Sequence, residues 1–389
     1  MSTYISSNDN RFYAALEESY GAAPKITGAH RISAVRLKAK HQRETAVRRD
    51  KTGTRTFLGV PASTRRKTSF ELSTYMTAWS DTSQAPGHGA LFQAVLGRPA
   101  LTFAGGAAAG INGSQLSFTG AHGLLAGQAV TCGGEMRFVT GIVSPTTVQL
   151  NAPFTVAPTS GAPIGPTVTY LPASSLPSAS IFDYWSPTSA VHRILVGSAI
   201  DRVAIKVNGD FHEFTFTGAA ADLVDSASFS AGEAGLQTFP AEPASAGFDY
   251  TIIPGHLGQV WIGAAPSQFF TLVEASVLVN NNVDLRAHEF GSGLPRAIAP
   301  GMRNVSFDFA VYAQDDDQTK ALYQAARQTS PMGVMIQLGE QPQQLFGIFM
   351  NSVITDAPQY DDTETRLQWR FQNCRAQGTG DDEIAIAFG

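Results

Sequence analysis

The chain resembles itself, and that internal repeat narrows the folds open to it more than any other feature. Arg66, Phe70, Glu71, Leu72 and Tyr75 recur at the same spacing as Arg303, Phe307, Asp308, Phe309 and Tyr312. Phe70, Leu72 and Thr74 alternate with Glu71, Ser73 and Tyr75, the period of a strand with one buried face. Each copy then passes through a polar turn into a short helical segment, Ala90-Leu91-Phe92-Gln93-Ala94 in one and Ala321-Leu322-Tyr323-Gln324-Ala325 in the other. A third block follows in the same order, because Arg193 to Asp201 resembles Phe346 to Asp356. The alternating strand around Phe214 and Phe216 then matches the one carrying Leu367, Trp369 and Phe371. Such ordered recurrence predicts a duplicated β-rich domain.

The expected organisation is a first domain over residues 1–226, with its repeat core at 28–226, a connector over 227–267 rich in Ala, Gly, Ser and Pro, and a second domain over 268–389. The first copy carries an insertion, residues 100–178, that the second lacks. Its short alternating runs, such as Gln115-Leu116-Ser117-Phe118 and Thr147-Val148-Gln149-Leu150, are separated by Gly- and Pro-containing turns and predict a small all-β module. A chain of 389 residues with 15% charged residues, 37 Gly and 21 Pro suits mostly β structure with many turns.

No motif for catalysis, cofactor or metal is present. Gly105-Gly106-Ala107-Ala108-Ala109-Gly110 lacks the Lys-Ser/Thr that a phosphate-binding loop needs, and the eight histidines show no ligand spacing. Asp315-Asp316-Asp317 lacks the alternation and trailing Glu of a calcium loop and reads as a polar turn before the second helix. Cys132 and Cys374 stand far apart, so neither a disulfide framework nor a zinc site is expected. With no secretory signal and no long apolar window, no membrane association or export is expected, apart from release by lysis. The reading is of a structural protein, not an enzyme.

Charge is distributed unevenly. Residues 1–67 hold 14 Lys/Arg against 5 Asp/Glu, a net of +9, so the remaining 13 against 27 give −14, which together make the −5 of the whole chain. The basic run includes Arg43, Arg48, Arg49, Lys51, Arg55 and Arg65, broken by Gly53, Gly59 and Pro61, as in a long excursion between two strands. With Phe57 as its lone aromatic it makes a poor nucleic-acid stacking platform. Two readings stay open, a solvated hairpin and an arm that docks on an acidic surface of another copy.

The opening Asn10-Arg11-Phe12-Tyr13 through Glu17-Glu18-Ser19-Tyr20-Gly21, followed by a strand, a long basic loop and the Arg65–Leu72 strand, resembles tail tube proteins of long-tailed phages and prophages. The resemblance implies mainly β tandem sandwich or barrel domains, each with a flanking helix, which oligomerise into a large barrel. Two fused copies then imply trimeric, pseudo-hexameric rings stacked into a tube, with the long loop reaching the neighbouring ring. Four strands from each of six domains close a barrel of about 24 strands and ~50 Å backbone diameter. Duplex DNA would pass through without specific binding. The implied partners are further copies of the chain, a tape measure protein, a tail terminator and baseplate proteins, with assembly in the host cytoplasm and a final place in the virion tail. Inter-ring contacts would join Arg43, Arg48, Arg49, Lys51, Arg55 and Arg65 to Asp315, Asp316, Asp317, Asp361, Asp362 and Glu364. The alternatives are another virion protein (tail terminator, baseplate hub or head decoration) or a β-rich carbohydrate-binding or lytic protein.

Overall fold

The blocks that recur in the sequence form the same elements with the same partners in both halves of the chain. A computed structural model describes residues 4–44, 50–57, 59, 64–244, 251–263 and 272–389. The fold is mainly β, and most strands join one 18-stranded sheet.

In the first half, Ala34–Arg43 pairs with Arg66–Tyr75, which pairs with Glu213–Ala220, which pairs with the end of Arg193–Val207. In the second half, Leu272–Asn280 pairs with Asn304–Tyr312, which pairs with Gln368–Ala376. That strand in turn pairs with Gln359–Asp361 and with the end of Phe346–Ile354. The starts of Arg193–Val207 and Phe346–Ile354 bend into a second layer. There the first pairs with Ala179–Trp185 and Asp222–Asp225, and the second with Met332–Leu338 and Ala385–Phe388. Asn10–Leu16 flanks the first of these sheets and Gly258–Ile262 the second. Gly258–Ile262 falls within the stretch expected as a connector, so β structure shared with the second half begins before residue 268.

The halves are joined by backbone pairing. Arg193–Val207 and Leu272–Asn280 run antiparallel from Arg202↔Asn280 to Val207↔Ala275, which merges the two four-stranded sheets into one. The alternation seen in the sequence sets its faces. Phe70, Leu72, Phe214, Phe216, Val277, Phe307, Phe309 and Phe371 point into the core with helix residues Leu91, Phe92 and Leu322. Phe92 lies 5.3 Å from the rings of Phe214, Phe216 and Phe346, so this helix ties both halves to one core. Helix Gly89–Leu96 is almost wholly buried, whereas Asp317–Arg327 buries one face.

Within residues 100–178, a separate 6-stranded sheet runs from Gly106–Asn112 to Pro163–Ile164 around Leu116, Phe118, Val139 and Val148. The ends of this stretch are woven elsewhere: Leu101–Phe103 pairs with Thr167–Tyr170, which pairs with Ala385–Phe388 in the main sheet.

Candidate functional site

The feature that sets this chain apart from an ordinary β-sandwich is the other face of the merged sheet. Small or polar side chains alternate with the core residues: Ser69, Ser73, Thr215, Thr217, Ser276 and Ser306. Some of its cations lie beside acids on the same face, whereas Lys40, Lys206 and Arg375 are exposed on it outside these pairs. Lys38 Nζ is 2.9 Å from Glu71 and Arg36 3.4 Å from it, while Arg370 reaches Glu274 at 2.9 Å and Asp361 at 2.8 Å. The Lys38 ammonium holds the Glu71 carboxyl below its ordinary range. Asp361 is held at about 2, first by the Thr363 hydroxyl and N–H and then by Arg370. Exposed pairs of this kind add little stability, but each neutralises charge locally. The result is a broad polar surface on which small side chains, cations and acids are interspersed.

Strand direction gives the sheet two chemically distinct ends. The arm leaves the sheet after Arg43 and returns at Arg66, which lies opposite Arg43. In the second half the equivalent end, after Asn280 and before Asn304, carries the excursion 281–303 with a small Asp284–Leu285 and Ile298–Ala299 ribbon. The two excursions touch: Arg66 N–H donates to the Gly293 carbonyl at 2.9 Å, and Arg65 donates to the His288 carbonyl at 3.3 Å. Phe57 and Phe290 are exposed on them, Phe290 fully. Sequence reading missed the second excursion, although its position after the second-copy counterpart of Ala34–Arg43 was the available signal.

Asp315, Asp316, Asp317, Asp362 and Glu364 lie at the opposite end, beyond Tyr312 and before Gln368. Asp316 caps helix Asp317–Arg327 by accepting from Thr319 N–H at 2.7 Å, and Asp315 lies 2.6 Å from Lys320. Asp317, Asp362 and Glu364 are exposed. Asp361 sits inside a strand at the sheet edge. On the basic side, Arg43, Lys51 and Arg55 are exposed and Arg65 is half-buried, while Arg48 and Arg49 lie outside the described residues. The described basic and acidic candidates therefore occupy opposite ends of one sheet.

The back of the second layer is covered differently in each half. Residues from the 229–239 stretch, including Phe229, Leu236 and Phe239, pack on Tyr13, Phe182, Tyr184 and Ile194 in the first half. In the second half the 6-stranded sheet takes this place, with Met136 and Phe138 on Trp261, Met335 and Phe349. Met335 alternates with core residues Val334 and Ile336, so the small sheet lies on the side away from the polar face. Arg137 secures it. This guanidinium is fully buried, bonds Glu135, donates to the Pro153 and Met136 carbonyls at 2.9 and 2.7 Å, and stacks 4.8 Å from the Trp261 ring. Burial lowers its pKa to about 10, so it remains a cation at neutral pH.

The Glu-x-x-Tyr-Gly segment also has a physical account. Glu17 accepts from Gly21 N–H at 2.8 Å, Gly197 N–H at 2.7 Å, and the Ser178 and Ser180 hydroxyls at 2.6 Å. Gly197 has φ 61°, and a Cβ there would lie 2.7 Å from Ala221 and 3.1 Å from the Tyr20 ring.

Among the described residues, no group of three His, Cys, Asp or Glu is placed to hold a metal ion, and no helix is long and apolar enough to cross a membrane. No curated protein matches the chain. A family model described as phage tail tube protein matches residues 7–380, and the chain belongs to that family of structural phage tail proteins.

Proposed function

We propose, from membership of the phage tail tube family, that three copies close into a ring whose polar sheet faces line a bore, and that rings stack into the conduit for phage DNA. The polar face of the merged sheet carries this reading. Each chain offers eight strands, so three give a barrel of about 24, too wide for side chains to fill. Acids interspersed among the cations of that face suit passage of a polyanion, because every phosphate neutralised would add salt-dependent affinity and slow movement. The small sheet, bound behind the second layer, falls on the outside.

The two ends supply stacking. In this reading residues 1–226, interrupted by 100–178, are the first tube unit, 227–267 the connector and 268–389 the second unit. The arm with Arg43, Arg48, Arg49, Lys51, Arg55 and Arg65 reaches the acidic end of the next ring. Asp315, Asp317, Asp362 and Glu364 are the better placed receptors, because Asp316 is engaged as a helix cap. Assembly takes place in the host cytoplasm, with the tape measure protein inside and terminator and baseplate proteins at the ends. Electron microscopy of the purified chain tests this: hollow rods of uniform width with threefold layers are expected. Six chains per layer, or globular particles at all concentrations, would overturn it.

A further inference from the structure

Among the described residues, each end of the merged eight-strand face is an unpaired edge, and the junction between the halves is a template for what should cover them. Ala34–Arg43 pairs along one side with Arg66–Tyr75, and Gln359–Asp361 along one side with Gln368–Ala376. Their counterparts meet inside the chain. Val277 stands across from Phe307 as Ala39 stands across from Phe70, and Ile205 across from Phe214 as Tyr360 stands across from Trp369. Ile205 and Val277 face each other at the internal junction. Both are fully buried there, whereas Tyr360 is 61% exposed and Ala39 half-exposed.

Carrying this register over brings Tyr360 opposite Ala39, Asp361 opposite Lys38, Gln359 opposite Lys40 and Asp356 opposite Arg43. We propose that the basic Ala34–Arg43 edge of one copy pairs antiparallel, in this register, with the acidic 356–361 edge of a second copy, and that the charges select this pairing. The proposal rests on the ring reading and assigns its seam. It also moves Asp361 from the ring-to-ring contact to the seam within a ring.

The comparison between junctions supports a selective role for the charges. At the internal junction the matching positions are Lys206 with Ser276, Ala204 with Leu278 and Asp201 with Asn281, so no pair of opposite charges faces across it. Covalent connection already holds those two strands at high effective concentration. The outer edges meet in solution and must avoid like-with-like pairing, the usual hazard of an open strand. A Lys/Arg edge against itself, or an Asp edge against itself, places like charges directly opposite. The basic edge against the acidic one does not.

Cysteine pairing in the full-length chain tests the register. Lys38→Cys with Asp361→Cys, in a Cys132→Ser background, should give disulfide-linked species on mild oxidation, running on non-reducing gels as dimers and then closed trimers. Lys38→Cys with Asp356→Cys, five residues out of register, should stay unlinked. If rods form but only the displaced pair links, or neither does, the seam is wrong and the tube reading stands. If the in-register pair links into a ladder ending at six, the seam holds and trimeric closure fails. A second variant separates charge selection from register: Lys38→Glu with Lys40→Glu should raise the concentration needed for rod formation at least tenfold, and adding Asp361→Lys with Gln359→Lys to the same chain should recover much of it. An unchanged threshold for the first pair would overturn selection by charge.

Discussion

Glu17 offers the sharpest test of how the sequence holds the first half of the chain together. Replacing it with Gln keeps the volume and one acceptor oxygen but puts an NH2 where two donors converge. Whichever way the amide turns, the backbone N–H of Gly21 or Gly197 then faces another donor, because each carboxylate oxygen serves one of them. The serines at 178 and 180 can rotate to accept, but a backbone N–H cannot. One orphaned half-buried N–H costs ~1–3 kcal/mol, and the remaining bonds lose their charge assistance. The sum for Glu17→Gln is about 3–4 kcal/mol, and at roughly 2–4 °C per kcal/mol the expected drop in Tm is roughly 6–16 °C. Thermal unfolding of dilute protein, below the concentration that assembles, reads this directly. Ser180→Ala should cost less alone and add little on top of Glu17→Gln, since both act on one network. A shift under about 2 °C for Glu17→Gln would show that the carboxylate is not what fixes Gly197 and the start of the chain.

Other outcomes follow from particular groups. Reversing Arg48, Arg49 and Lys51 to Glu should leave Tm within about 2 °C of the parent but stop rods elongating, as sedimentation and electron microscopy would show, and equal polymerisation at low and physiological salt would mean the arm is only a solvated hairpin. His88 is fully buried with no partner for Nε2, and burial lowers its pKa from 6.5 to about 4. The unfolded chain therefore takes up the proton first, and stability should fall as pH drops from 6.5 towards 4, by up to about 3 kcal/mol; denaturant titrations across that window should show a shallower slope for His88→Gln. Arg137→Ala should cost ~3–5 kcal/mol by leaving Glu135 buried without its cation, measurable as a lower denaturation midpoint.

Much of this fold was legible because its strand blocks recur in the sequence. The alternation at Phe70, Leu72 and Thr74 told strand and buried face together, and its recurrence at Phe307, Phe309 and Val311 set the order of elements. Gly258–Ile262 was hidden in a Gly-, Ala- and Pro-rich stretch because Val260, Trp261 and Ile262 are buried on both faces of a five-residue strand, which leaves no apolar–polar period. Leu101–Phe103 and Thr167–Tyr170 were hidden too. Thr167–Tyr170 pairs with Ala385–Phe388, more than two hundred residues away, and pairing at that range leaves no local trace. The basic arm stood out by composition, whereas the excursion 281–303 did not, since its cations are diluted by Gly, Ala and Pro. What single-sequence reading could not supply was direction. Only the strand topology shows that the arm and Asp315, Asp317, Asp362 and Glu364 sit at opposite ends.

That topology also changes how the small sheet should be removed. Excising 104–176 would take out Thr167–Tyr170, which pairs with Ala385–Phe388, and the Tyr170 ring that lies 6.2 Å from Phe388. A cleaner cut joins Gly105 to Gly165, because a Cβ on Gly105 would sit 2.6 Å from the Ile164 carbonyl and 3.3 Å from the Gly165 carbonyl carbon, so the two ends already meet. The cut still bares Trp261, Met335 and Phe349, which the small sheet covers. At ~1.5–3 kcal/mol for each large apolar side chain returned to water, the loss is on the order of 5–8 kcal/mol, and the bared face is an association hazard. The simple deletion should therefore aggregate without forming rods. Adding Trp261→Thr, Met335→Thr and Phe349→Thr should restore solubility, because the opposite faces of the same strands, with Val260, Val334, Ile336 and Ile348, still hold the core. Electron microscopy of that variant should show rods of reduced outer width and unchanged bore. If soluble, folded protein then makes no rods, the small sheet is part of an assembly interface and not an outer cover.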